Sequence, residues 1–185
     1  LLEQAAILLP VDASALLLMN SETNLLTLAA SKGLRSSIHS SIFLNLGVGY
    51  AGQVALERKR IHIPNLAGSA KSDAMPPYLQ DENFTSYIGL PLITKGRTLG
   101  VLEVFHSSIL QPEAEWLEFL DILAGRGAIA IDNAILFENL QKSSAELGMA
   151  YDATIEGWLR TLDLRDRETE GHTRRVADMT VQLAY

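Results

Sequence analysis

The chain has 185 residues, 48% of them hydrophobic and 20% charged, which suits a folded globular protein with one sizeable domain and a helical extension. Its net charge of −7 argues against broad nucleic-acid binding, which wants a basic face, but leaves room for a local basic pocket. Cysteine is absent, which excludes disulfides, thiolate catalysis, Cys-ligated zinc and thioether-linked chromophores.

No apolar run approaches the roughly 20 residues of a membrane span, and Glu3 and Gln4 interrupt the start where a signal peptide would need apolar residues. The expected setting is cytoplasmic. The sequence opens on Leu1 and stops at Tyr185 inside an apolar-periodic segment, so both ends read as cut from a longer protein.

Leu1 to Leu9 reads as the end of a helix stopped by Pro10. Ala15 to Met19 is a continuous apolar run, hence a buried strand. Asn20-Ser21-Glu22-Thr23-Asn24 is turn chemistry, and Leu25 to Ala30 is the returning strand of a hairpin. Lys32 to Ser41 reads as loop. Tyr50 to Lys59 places Ala51, Val54, Ala55 and Leu56 on one helical face. Gly47-Val48-Gly49 before it is too little for a phosphate cradle, since no GKS/T follows.

Ile61 to Ile63 is a short strand closed by Pro64. Asn65 to Asn83 is a long polar segment of the kind that often carries function. Ser86 to Thr94 and Leu99 to Phe105 form a second hairpin around Lys95-Gly96-Arg97, with Val101, Glu103 and Phe105 on one face. From Pro112 the pattern is helical through Trp116, Phe119, Leu120, Leu123, Ile131, Ile135 and Leu140. Gly125 and Gly127 interrupt it at about 1 kcal/mol each relative to alanine, and close packing against a neighbour is the expected reason. Farther on, Phe137, Leu140, Leu147, Tyr151 and Trp158 fall near seven-residue spacing, with Ser144, Thr154 and Thr161 as weak points. This reads as an imperfect seam for a partner helix and predicts a homodimer through the C-terminal helix; the alternative is a helix covering its own domain.

In its block order, and most specifically in the "SYIGLPL…GRTLGVLEV" stretch, the chain resembles the GAF family over about residues 1–140. The resemblance implies an α+β fold: a GAF-like antiparallel sheet flanked by helices, with a long C-terminal helical extension. It also implies a sensory module, with any pocket lying between the sheet and the long loop. That nominates Asp73, Tyr78, Phe84, Ser86 and Tyr87, the aromatics to stack on a planar ligand and Asp73 and Ser86 to orient it. The competing reading is that Tyr78 and Phe84 close the loop over a filled core. The attachment cysteine of the bilin-binding branch is absent, and the ligand stays unidentified. His39, His62 and His106 have no partner at metal spacing and read as surface or internally satisfied histidines.

The segment from Tyr151 to Ala184 resembles the opening of an HD-GYP domain, most continuously over Asp163 to Val176. Glu168 and His172 stand four apart, so on a helix a carboxylate and an imidazole would converge on one cation. The family implies a divalent metal, Fe or Mn, in the intact parent, a metal-dependent phosphodiesterase acting on cyclic di-guanylate. Two ligands do not make a catalytic metal site, and no His-Asp pair or Gly-Tyr-Pro triplet is present. This stretch by itself is therefore expected to hydrolyse nothing and to hold no cofactor. The organisation expected is a sensor over 1–140, a connecting helix over 141–164 and the start of an HD-GYP-like domain over 165–185. The expected role is a regulatory sensor for that enzyme, with a ligand-free dimerisation module as the alternative.

Overall fold

Two hairpins supply the sheet. The computed structural model describes residues 11–34, 43–66, 82–165 and 172–184. Strand β1 (Ala13–Met19) turns into β2 (Leu25–Lys32) through the segment whose composition predicts a turn. Asn20 makes that turn by accepting, through Oδ1, the backbone N–H groups of Glu22 at 2.8 Å and Thr23 at 3.0 Å. Then follow β3 (Phe43–Asn45), helix α1 (Gly49–Glu57), β4 (Ile61–Ile63), β5 (Ser86–Thr94) and β6 (Arg97–His106). The strands form one six-stranded sheet in the order β3-β2-β1-β6-β5-β4, every neighbouring pair antiparallel.

The period-2 pattern of the strands divides the core in two. Ala13, Ala15, Leu17, Tyr87, Val101 and Phe105 face α1, which contributes Tyr50, Ala51, Val54 and Ala55. On the other face Ile88, Leu90, Leu92, Leu102 and Val104 pack on Leu120, Leu123, Ala124 and Ala128 of helix α2 (Ala114–Arg165). Each fully buried leucine or isoleucine contributes about 1.5–3 kcal/mol.

Two charged contacts fasten the start of α2 to the sheet. Arg60, beside β4, pairs with Asp121 and donates to the Leu117 carbonyl at 3.1 Å. About three turns later, Asp132 receives Lys95 Nζ at 2.9 Å from the β5–β6 turn. These positions fall on one side of the helix, beside its apolar stripe.

The structure departs from the sequence reading in a few places. Strand β3 is additional; it exists through pairing with β2, where Leu44 lies opposite Leu26. Gly125 is not a close-packing site, because a Cβ there would meet nothing within 4 Å; Gly127 is buried. Helix α2 starts at Ala114, with Pro112 and Glu113 ahead of it. The helix expected over residues 1–9 lies outside the described residues.

The chain divides into two compact units, Leu1–Asn133 and Ala134–Tyr185. In the second, Phe137, Leu140, Leu147, Tyr151 and Trp158 are all more than half exposed. Thr154 and Thr161 turn their hydroxyls back onto the carbonyls of Ala150 and Gly157. Helix α3 (His172–Leu183) exposes Val176, Met179 and Leu183. Among the described residues no helix is long and apolar enough to cross a membrane.

Candidate functional site

One row of residues crosses the middle of the α1-facing side of the sheet. Register places Ser31, Ala15, Glu103, Gly89 and Ile61 side by side on β2, β1, β6, β5 and β4. Glu103 is fully buried there, between the apolar Val101 and Phe105 of the same strand. A buried carboxylate is costly without donors, and Tyr87 Oη donates to Glu103 Oε1 at 3.0 Å.

Gly89 makes this bond possible. It stands in the row directly opposite Glu103, and a Cβ there would collide with the Tyr87 hydroxyl and lie 2.7 Å from Val54 Cγ2. Its bare backbone lets the phenol lie along the sheet and lets α1 approach. The first turn of α1 brings Tyr50 over Tyr87, with ring centroids 5.2 Å apart. Phe105 continues the wall, 5.6 Å from Tyr87 and stacked on Phe84 at 5.2 Å. The result is an acidic acceptor at the sheet centre, flanked by small residues and walled by aromatics. Such a combination suits a ligand with a hydrogen-bond donor and a planar or apolar body.

Of the nominated residues, Tyr87 and Phe84 belong to this cluster, joined through Phe105. Ser86 does not join them, because its neighbours in the alternation, Ile88 and Leu90, face α2. Its hydroxyl lies 2.7 Å from the carbonyl oxygens of both Pro64 and Ser108 and accepts the Leu110 N–H at 2.8 Å, tying three backbone segments together. Asp73, Tyr78 and Glu168 lie outside the described residues, as does His39; His172 opens α3. Sequence reading passed over Glu103, Tyr50, Ala15 and Gly89 as site residues. The available signal was one glutamate at a core position between Val101 and Phe105.

His62 and His106 are engaged locally. His62 Nε2 is 3.1 Å from the Leu110 carbonyl. His106 Nδ1 lies 2.7 Å from Asp12 Oδ2, off the direction of an aligned hydrogen bond. The same Asp12 oxygen accepts both the backbone N–H and the hydroxyl of Ser107 at 2.6 Å. Those Ser107 bonds hold the Asp12 carboxyl below its ordinary pKa against partial desolvation, with His106 adding to the effect. Among the described residues no three histidines or carboxylates gather as a metal site would require.

Residues 1–132 match the GAF domain family. The chain belongs to that family. Solved structures similar to this GAF domain include one from an Acinetobacter phosphoenolpyruvate-protein phosphotransferase, at 24% identity and TM-score 0.63, covering 72% of this chain and 80% of that one. The GAF domain of the corresponding phosphotransferase of Coxiella burnetii shows 25% identity and TM-score 0.64, covering 72% and 79%. That of a two-component sensor histidine kinase from Bacillus halodurans shows 20% identity and TM-score 0.64, covering 73% and 90%. A search of curated proteins found no match. Residues 133–185 lie outside the family match.

Proposed function

We propose that this GAF domain is the sensory part of a signalling protein and binds a small molecule on the α1-facing side of its sheet. The observation that carries the reading is the buried Glu103 carboxylate, held by Tyr87 between Ala15 and Gly89. A filled structural core has little use for a carboxyl group at its centre, because burying a polar group is costly unless it is hydrogen-bonded. The ligand would contribute a donor to Glu103 and a planar or apolar body to the aromatic wall. Native mass spectrometry of the protein purified without denaturation tests this. A bound small molecule, lost in the Glu103→Gln variant, is expected; a protein mass with no adduct in any preparation argues for the ligand-free reading.

The output we assign to the sensor is a metal-dependent cyclic di-guanylate phosphodiesterase of the HD-GYP type. The sequence from Asp163 to Val176 supports it, with Glu168 and His172 in the place of metal ligands. By themselves the two fall short of the donor set of a catalytic Fe or Mn ion, so no hydrolytic step is assigned to these 185 residues. Helix α2 would carry the signal, and coupling requires that ligand and metal site favour the same state of that helix. Cyclic di-guanylate hydrolysis by the intact parent protein, abolished by His172→Ala and changed by Glu103→Gln, is the expected result.

A second reading, a dimerisation module, is favoured by the exposed apolar series Phe137, Leu140, Leu147, Tyr151 and Trp158. An apolar stripe of this kind seeks a partner, and a second copy supplies a self-complementary one. Light scattering is expected to give a dimer that Leu147→Lys with Trp158→Glu dissociates.

A further inference from the structure

At the end of the sheet that carries the β1–β2 and β5–β6 turns, the C-terminus of α1 overhangs an open cleft of about 380 Å³. Met19, Leu46 and Leu56 give it an apolar lining, while Arg58, Arg97 and Thr98 supply polar groups. Among the described residues no acidic one lines it. In a chain of net charge −7, two arginines lining one cleft are a local reversal of sign.

Neither arginine is used up by the fold. Arg58 Nη2 donates to the Gly96 carbonyl at 2.8 Å, which steadies the guanidinium and leaves its other donors. Arg97 Nη2 is 3.9 Å from Asp132, a carboxylate that Lys95 already holds at 2.9 Å. Arg97 remains 70% exposed. Among the described residues Thr98 Oγ1 is buried without a hydrogen-bond partner. Arg58 also occupies the position after α1 at φ 57°, a left-handed conformation that usually falls to glycine or asparagine. A side chain kept there against backbone preference points to a use for it.

We propose that this cleft is a second ligand site, independent of the Glu103 face, for a small organic anion: an apolar body with a carboxylate or phosphate head. The head takes donors from Arg58 and Arg97, whose guanidiniums match such oxyanions in geometry and charge. The body lies on Met19, Leu46 and Leu56. A ligand drawing on Arg97 acts two residues from Lys95, whose ammonium fastens Asp132 of α2. Occupancy therefore reaches α2, the helix assigned to carry the signal.

Octanoate is the probe, with octylamine and acetate as controls and a polyglutamate peptide as the competing class, followed by calorimetry and by amide chemical shifts of the 185-residue protein. Octanoate is expected to shift amides around Arg58, Gly96 and Thr98. Arg97→Gln and Arg58→Gly are each expected to weaken it about tenfold. Both variants should fold, since Arg97 is exposed and glycine accepts the φ of residue 58; circular dichroism confirms it. Four results overturn the proposal: no saturation by octanoate below about 10 mM, shifts centred on Tyr87 and Glu103, equal binding of octylamine, or equal binding by both variants. Binding of polyglutamate without octanoate places a protein partner there and overturns the small-molecule assignment as well. Ligand binding at Glu103 is read separately by native mass spectrometry.

Discussion

Tyr87 donates its phenolic proton to Glu103 across the bare backbone of Gly89, with 3.0 Å between the oxygens. Both side chains are fully buried, and they come from neighbouring strands at the centre of the sheet. Tyr87→Phe keeps the ring and removes the donor. A buried carboxylate deprived of one hydrogen bond costs about 1–3 kcal/mol. The urea midpoint should fall accordingly with the slope unchanged. An unshifted midpoint would mean that the bond contributes nothing to the folded state.

Gly89→Ala tests the same relationship from the other side. The new methyl would collide with the Tyr87 hydroxyl and sit 2.7 Å from Val54 Cγ2, so either the phenol leaves Glu103 or α1 moves off the sheet. Overpacking of this kind costs about 1–3 kcal/mol, and more where a hydrogen bond is also lost. The expected loss is therefore at least that of Tyr87→Phe, with little further loss when the two are combined, because they disrupt one contact. Independent, additive effects in the double variant would sink the idea that Gly89 exists to admit the phenol.

Much of this architecture is legible in the sequence because strand periodicity is local. The alternation Val101, Glu103, Phe105 and the run from Ser86 to Thr94 assign their own faces, and Asn20 announces its turn. The same rule separates Ser86 from Tyr87: adjacent strand residues point to opposite sides, so the two could not share a pocket wall as nominated. Strand β3 is harder to see, since three residues carry too little pattern and only the pairing of Leu44 with Leu26 defines them. The partner of Glu103 is harder still. Tyr87 stands 16 positions earlier on another strand, and only the register of β5 on β6 brings it within reach.

The Lys95–Asp132 contact should respond asymmetrically to substitution. The Asp132 side chain is 7% exposed and that of Lys95 62%. Lys95→Gln strips the nearer cation from a buried carboxylate and leaves it only Arg97 at 3.9 Å, at an expected cost of about 1–3 kcal/mol. Asp132→Asn removes the buried charge itself and frees two cations already close to water, so it should cost less. Chemical denaturation of both single variants and the double checks this. The double should resemble Asp132→Asn; if Asp132→Asn proves the more damaging, the pair is not the clamp on α2 that its geometry describes.

Acid should act through Asp12. Because the Ser107 bonds favour the ionised carboxyl, its pKa in the folded protein lies below that of the unfolded chain, near the ordinary value of about 3.9. The resulting stabilisation is complete well above that value and is lost as the pH falls through it toward the lower folded pKa. Asp12 is 42% exposed at its side chain, so the effect is modest, about 1 kcal/mol or less. Asp12→Asn should therefore be less stable than the natural protein at pH values above about 5, with the gap closing as the solution is acidified. Ser107→Ala removes the hydroxyl donor but leaves the backbone donor, and should close part of the gap. Urea midpoints measured along a pH series check both, and a gap that stays constant into acid would show that Asp12 is not the group responsible.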